Sequence, residues 1–175
     1  MNRKQLEHVL RACGSIAGCR EIVVIGSQAL LASCPDAPDA LLRSMEVDCY
    51  PLDDPAKADL IDGSIGELSP FHEAFGYYAH GIGPETAALP AGWRARVVCL
   101  ESEHTGGTVG LCLSLEDLAV SKLLAGREKD VEFVREMLQA GLVSEAAIRS
   151  LAPELSPDQG ARLSVKLQIC SRRVV

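Results

Sequence analysis

Apolar residues at Leu6, Val9, Leu10 and Cys13 recur at the spacing of one helical face and predict an amphipathic helix over residues 2–17, with Gly14 and Gly18 marking its end. The run EIVVI at 21–25 is short, continuously apolar and β-branched, the signature of a buried strand. A helix is then expected to start at Ser27 and reach Ser33, its first amides facing any phosphate that approaches. After the proline-punctuated loop CPDAPDA, residues 44–51 read as a second strand, and Pro51 discourages its continuation as a central strand.

Further along, Ala58, Leu60, Ile61 and Ile65 give an apolar side to a helix over 55–65, with Pro55 in its first turn. Ser69-Pro70 is a cap-then-proline helix start. Phe71, Phe75, Tyr77 and Tyr78 follow, close to His72 and His80. These rings are read either as packing of that helix and the turn after it or as a stacking wall for a base, with His72 the most interesting of the four histidines. Residues 81–92 read as a loop with a short helix at 84–88. Strands are expected at 94–100 and 108–113, joined as a hairpin through a turn at 104–107. Ser114, with Glu116 and Asp117, caps the next helix, and further helices are predicted over 128–140, 144–150 and 156–169.

Chemistry enters at the second strand, which carries Glu46-Val47-Asp48. Side chains alternate on a strand, so Glu46 and Asp48 share a face while Val47 turns the other way. Carboxylates at that spacing offer the oxygen ligands that magnesium prefers, and the Gly26-Ser27 turn beside them exposes backbone donors to a phosphate tail. Composition narrows the partners. At 175 residues and 47% hydrophobic, the chain can bury a full core, and a net charge of −7 disfavours non-specific grip on a polyanion. A nucleic-acid substrate therefore needs a local basic patch, for which Lys122, Arg127 and Lys129 or the Arg172-Arg173 end are the candidates. The seven cysteines form no CxxC pair and have no histidines at zinc-finger spacing, and Cys13, Cys49, Cys99 and Cys112 read as small core residues. With no signal-peptide opening and no bilayer-length apolar run, the expected compartment is a reducing cytoplasm.

A strand, a Gly-Ser turn, a helix and then a strand bearing two carboxylates one residue apart resembles the nucleotidyltransferase superfamily with the polymerase-β-like fold. The resemblance implies an α/β fold: a mixed β-sheet core flanked by helices over residues 1–113, with a helical C-terminal portion over 114–175 packed on it as one unit. It also implies that Gly26 and Ser27 contact a nucleoside triphosphate, and that Glu46 and Asp48 bind Mg2+ (or Mn2+) for transfer to a hydroxyl acceptor. The segment LSLEDLAVSKLLAGREKDVEFVREML is similar to the Asp-Leu, Lys, Arg, Lys-Asp pattern of the AbiEii-like toxin nucleotidyltransferases and their bacterial relatives. There Lys122 takes a catalytic place, and Arg127, Lys129 and Asp130 nucleotide-binding ones.

The chain departs from that pattern in a longer interval between turn and acids, in Glu46 where aspartate is commoner, and in the third carboxylate. The strand expected over 94–100 has no acid, so Glu101, just beyond its end and in step with Val97 and Cys99, is the candidate third metal ligand. Bland readings stand beside these: Lys122 as a surface residue, and Asp130 as an acid complementing a helix dipole with Lys129 its solvated neighbour. At the level of function, one alternative is a catalytically degenerate binding protein of this fold, such as a toxin-antitoxin-like partner or regulator. Another is an α/β binding module whose acids are ordinary strand-edge residues. The acceptor stays open, with tRNA and protein both candidates.

Overall fold

The structure, a computed structural model, describes residues 1–171. The basic pair Arg172-Arg173 lies outside the described residues. Five strands form one mixed sheet: β1 (Glu21–Val24), β2 (Glu46–Pro51), β3 (Tyr78–Gly81), β4 (Val98–Leu100) and β5 (Val109–Cys112), in the order β3-β2-β1-β5-β4. β1 runs antiparallel to β2 and parallel to β5, β2 is parallel to β3, and β4 is antiparallel to β5. With α1 (Arg3–Ala17), α2 (Ala58–Ile65) and α3 (Pro70–Phe75) before the last two strands, and α4 (Leu115–Ala125), α5 (Glu128–Gln139), α6 (Glu145–Ser150) and α7 (Pro157–Ser171) after them, this is the expected α/β architecture with a helical C-terminal portion.

The local chemistry explains the element ends. Asn2 caps α1 in a reciprocal box with Gln5, and Gly18 ends it in the left-handed conformation that glycine adopts without strain. Gly14 sits inside that helix rather than at its end: a Cβ there would overlap the Thr108 side chain, so glycine lets helix and sheet approach. Leu6, Val9, Leu10 and Cys13 are fully buried, each larger apolar side chain contributing roughly 1.5–3 kcal/mol. The Cys13 and Cys49 sulfurs lie 3.8 Å apart, which places α1 on the face of β2 that carries Val47 and Cys49. Glu46 and Asp48 stand on the other face. Residues of both the sheet and the C-terminal helices enter one continuous apolar cluster.

Four expectations change. The helix after Gly26 is a tighter 3-10 turn, Ser27–Ala32. Residues 94–96 are not strand but part of a 3-10 turn, Trp93–Arg96, and β4 keeps only three residues. The cause is Arg96, whose guanidinium is turned inward to bind Asp117 at 2.8 and 2.9 Å and Glu154 at 2.9 and 3.0 Å. Cys99 is exposed rather than a core residue, since on this short edge strand it is Leu100 that points inward. β3 falls where a loop and turn were expected, as a strand added to the outer edge of β2. β2 is thus paired on both sides, and Pro51 is tolerated because its register with β3 stops at Cys49.

Candidate active site

β1 ends at Val24, and the chain turns through Gly26 and Ser27 at the end of the sheet where β2 begins. The amide of Ile25 donates to the Asp48 carbonyl at 3.0 Å, which ties the turn to the acid-bearing strand. Gly26 has an ordinary backbone conformation, and its requirement is space: a Cβ there would overlap the Asp48 carboxylate. The predicted convergence of turn and acids is therefore present, at a contact that only glycine permits.

Beside the acids stands a residue the sequence did not single out for this place. The register pairs Asp48 with His80 and Glu46 with Tyr78 across β2 and β3, so His80 shares the face of both acids. Its Nδ1 lies 3.0 Å from Glu46 Oε1 and 3.1 Å from Asp48 Oδ1. One ligand atom from each of the three residues falls within 4.8 Å of the others, a spacing and donor set that fit a divalent cation. Burial, then the neighbouring Asp48 charge, raise the Glu46 carboxyl above its ordinary range, while His80 and Lys129 pull the other way. Two partly buried carboxylates held this close are an electrostatic liability that a cation relieves.

Glu101 is not with them. β4 runs antiparallel to β5, which is parallel to β1, so the end of β4 that leads to Glu101 lies at the opposite end of the sheet from Gly26. There Glu101 accepts a hydrogen bond from Arg20 at 3.4 Å in solvent. His72, the histidine favoured from sequence, accepts the Leu68 amide at 3.0 Å and packs on the Tyr78 ring, a role local to α3. The only advance signal for His80 was the alternation Tyr78, His80 beside the acids, readable once β3 is known to pair with β2.

The acids open onto a cavity of about 490 Å³ whose far wall is the α4–α5 corner. Asp130 is the anchor of that wall. Its side chain is 2% exposed and accepts from Arg127 at 2.6 and 3.2 Å, with Lys122 Nζ at 3.3 Å. Desolvation is the largest influence on Asp130 and would raise its pKa, yet the Arg127 hydrogen bonds and the Lys122 charge together hold it below the usual aspartate value. Lys122 is not a surface residue: it is mostly buried, with Nζ 5.7 Å from the centre of the Phe133 ring. Arg43 and Lys129 complete a set of four cations around this cavity, in a chain whose net charge is −7. Apolar contacts come from Ala40, Leu41, Ile82 and Ala87.

A mixed sheet with a Gly-Ser turn against paired carboxylates, closed by a helical portion, defines a nucleotidyltransferase-like fold. Residues 4–165 match the family described as "Nucleotidyltransferase of unknown function (DUF6036)", and the chain belongs to that family. No curated protein and no solved structure matches it. No helix among the described residues is long and apolar enough to cross a membrane.

Proposed function

We propose that the protein transfers a nucleoside monophosphate from a nucleoside triphosphate to a hydroxyl acceptor. The observation that carries this reading is the meeting of Gly26-Ser27, Glu46 and Asp48 in one cavity whose opposite wall is cationic. In the transfer, the acceptor oxygen bonds to the α-phosphorus while the bond from that phosphorus to the bridging oxygen breaks. Pyrophosphate departs with the electron pair, and the hydroxyl proton passes to a carboxylate oxygen of the acid pair. The Gly26-Ser27 backbone takes the phosphates, and Lys122, Arg127 and Lys129 face the charge that builds on the leaving group. Asp130, an anion, does not touch the triphosphate but orients Lys122 and Arg127 toward it. Glu46 and Asp48 hold Mg2+ or Mn2+, which when bound supplies Lewis acidity and charge neutralisation at the phosphates.

The basic wall supports a phosphate-rich ligand despite the acidic chain, and the Lys122, Arg127, Lys129, Asp130 group supports kinship with the AbiEii-like enzymes. Within this reading a tRNA or a protein supplies the hydroxyl. Seven free cysteines suit a reducing cytoplasm as the place of action.

The test is transfer of label from α-labelled nucleoside triphosphates, by the wild type and by Asp48→Asn, into candidate RNA and protein acceptors. Labelled acceptor with the wild type alone supports the reading. Triphosphate binding by calorimetry with no product from any nucleotide favours the degenerate binding protein instead. In that case the absence, among the described residues, of a third carboxylate beside Glu46 and Asp48 is the reason.

A further inference from the structure

We infer that His80 is a direct metal ligand and biases the site toward a first-row transition cation of the Mn2+ class over Mg2+. This rests on the metal-dependent reading above and goes beyond it, because an all-oxygen site would leave the choice of cation to size alone.

Three observations support it. First, His80 is placed by sheet register rather than by a loop: β3 pairs in parallel with β2, and Asp48 sits directly opposite His80. Second, a single ring nitrogen, Nδ1, faces both acids, at 3.0 Å from Glu46 Oε1 and 3.1 Å from Asp48 Oδ1. Neighbouring ligands of an octahedral ion at 2.0–2.2 Å are about 2.8–3.1 Å apart, whereas a tetrahedral ion of the zinc type separates them by roughly 3.3 Å. The two separations from His80 Nδ1, which are hydrogen-bonding distances in the metal-free site, fall on the octahedral edge, and all three ligand atoms lie within 4.8 Å of one another, so a cation that displaces the shared proton finds the three donors gathered. Third, among the described residues no further carboxylate joins the cluster, and Glu101 is at the far end of the sheet.

Imidazole is a borderline ligand that gains more from a transition ion than from Mg2+, which favours oxygen and water. One nitrogen with two carboxylates keeps enough hard character for a phosphate-handling ion. It still tips the preference along the transition series. The His80 side chain is 45% exposed, so the cluster lies open to solvent rather than sealed in the core.

The experiment uses the whole chain without nucleotide, so it reads the metal site independently of transfer. Mn2+ is titrated in and followed by electron spin resonance, with Mg2+ as competitor. Pulsed measurements then look for nitrogen coupling to the bound ion in protein carrying 15N-labelled histidine. The wild type is expected to show coupling to one imidazole nitrogen. In His80→Asp the coupling vanishes, and the preference for Mn2+ over Mg2+ falls by about tenfold. His80→Gln, which keeps polarity without the imidazole, also loses the coupling and serves if the aspartate variant folds poorly. Bound Mn2+ with no histidine coupling in the wild type, or an unchanged Mn2+/Mg2+ ratio in both variants, overturns the assignment and leaves the transferase reading standing. Failure of the wild type to bind Mn2+ at millimolar concentration also overturns it. Absence of transfer alongside an intact histidine-coupled site instead counts against the proposed function alone.

Discussion

Two charge clusters in this molecule are built from the same residue types and solve opposite problems. Around Asp117, every charge is answered inside the protein. The carboxylate is fully buried, takes two hydrogen bonds from Arg96 and one from the Ser114 hydroxyl at 2.6 Å, and Arg96 gives two further hydrogen bonds to Glu154. Those bonds raise the guanidinium pKa well above its ordinary value, Asp117 first and Glu154 second, and Glu154 also fixes the Gly92 amide. The result is a strut that joins the turn before β4 to the start of α4 and the segment before α7. Around Glu46 and Asp48, by contrast, two acids sit together with the His80 imidazole between them and, among the described residues, no lysine or arginine hydrogen-bonded to either, while the cations of the α4–α5 corner line the same cavity. Matched charge holds the fold together, whereas unmatched charge facing a cavity awaits a ligand.

The sharpest way to break that contrast is to remove one charge from each cluster. Asp48→Asn is expected to cut nucleotide transfer on the order of 10³-fold, while the melting temperature holds or rises because a like-charge pair is relieved. Loss of folding in this variant would place Asp48 with the structural cluster instead. Asp117→Ala does the reverse. Leaving Arg96 without its buried partner costs about 3 kcal/mol, toward the low end for a broken buried pair because Glu154 still answers part of the charge; urea unfolding reads this. A shift below about 0.5 kcal/mol would show the strut to be ornamental.

Smaller effects sharpen the reading of the α4–α5 corner. Lys122→Met is expected to lower kcat and kcat/KM together by about tenfold, the mark of a contact that strengthens as charge builds on the leaving group. A rise in KM with kcat unchanged would reduce Lys122 to a ground-state phosphate contact. Asp130 gives a pH test with a defined sign. Its folded pKa is lowered, so it contributes stability that is present above the unfolded aspartate value and lost as pH falls through the lower, folded one. Asp130→Asn should therefore reduce the acid dependence of stability. The slope of unfolding free energy between pH 6 and the lowest pH at which the wild type stays folded is the measurement, and an unchanged slope would contradict the placement of Asp130.

How much of this was legible in the sequence follows from which interactions are local. The α1 helix, with Asn2 as its cap and Leu6, Val9, Leu10 and Cys13 as its buried face, is decided within a few turns of chain and was readable. So were Glu46 and Asp48 on one face, because a strand's period is fixed, and the Ser69 and Ser114 caps. What failed to show depended on pairing between distant segments. β3 is four residues, bounded by glycine and aromatic side chains, and becomes a strand only because β2 offers an edge, so His80 could not be aligned with Asp48 in advance. Glu101 was favoured from parity along a strand whose direction parity does not reveal; the antiparallel return of β4 carries it away. Residues 94–97 had strand-like composition, but Arg96 is drawn inward by Asp117 and Glu154, partners 21 and 58 residues away. Lys122 read as surface or site, and its ion pair with the buried Asp130 removes the surface reading.

The central claim is that one cavity, bounded by the Gly26-Ser27 turn, the Glu46-Asp48 pair and the cationic corner, receives a nucleoside triphosphate. A crystal structure of the protein with a non-hydrolysable triphosphate and Mn2+ tests it most directly. The account predicts phosphates against the Gly26 and Ser27 backbone, facing Lys122 and Arg127, with the cation between Glu46 and Asp48. A triphosphate bound elsewhere, with this cavity left to solvent, would contradict it.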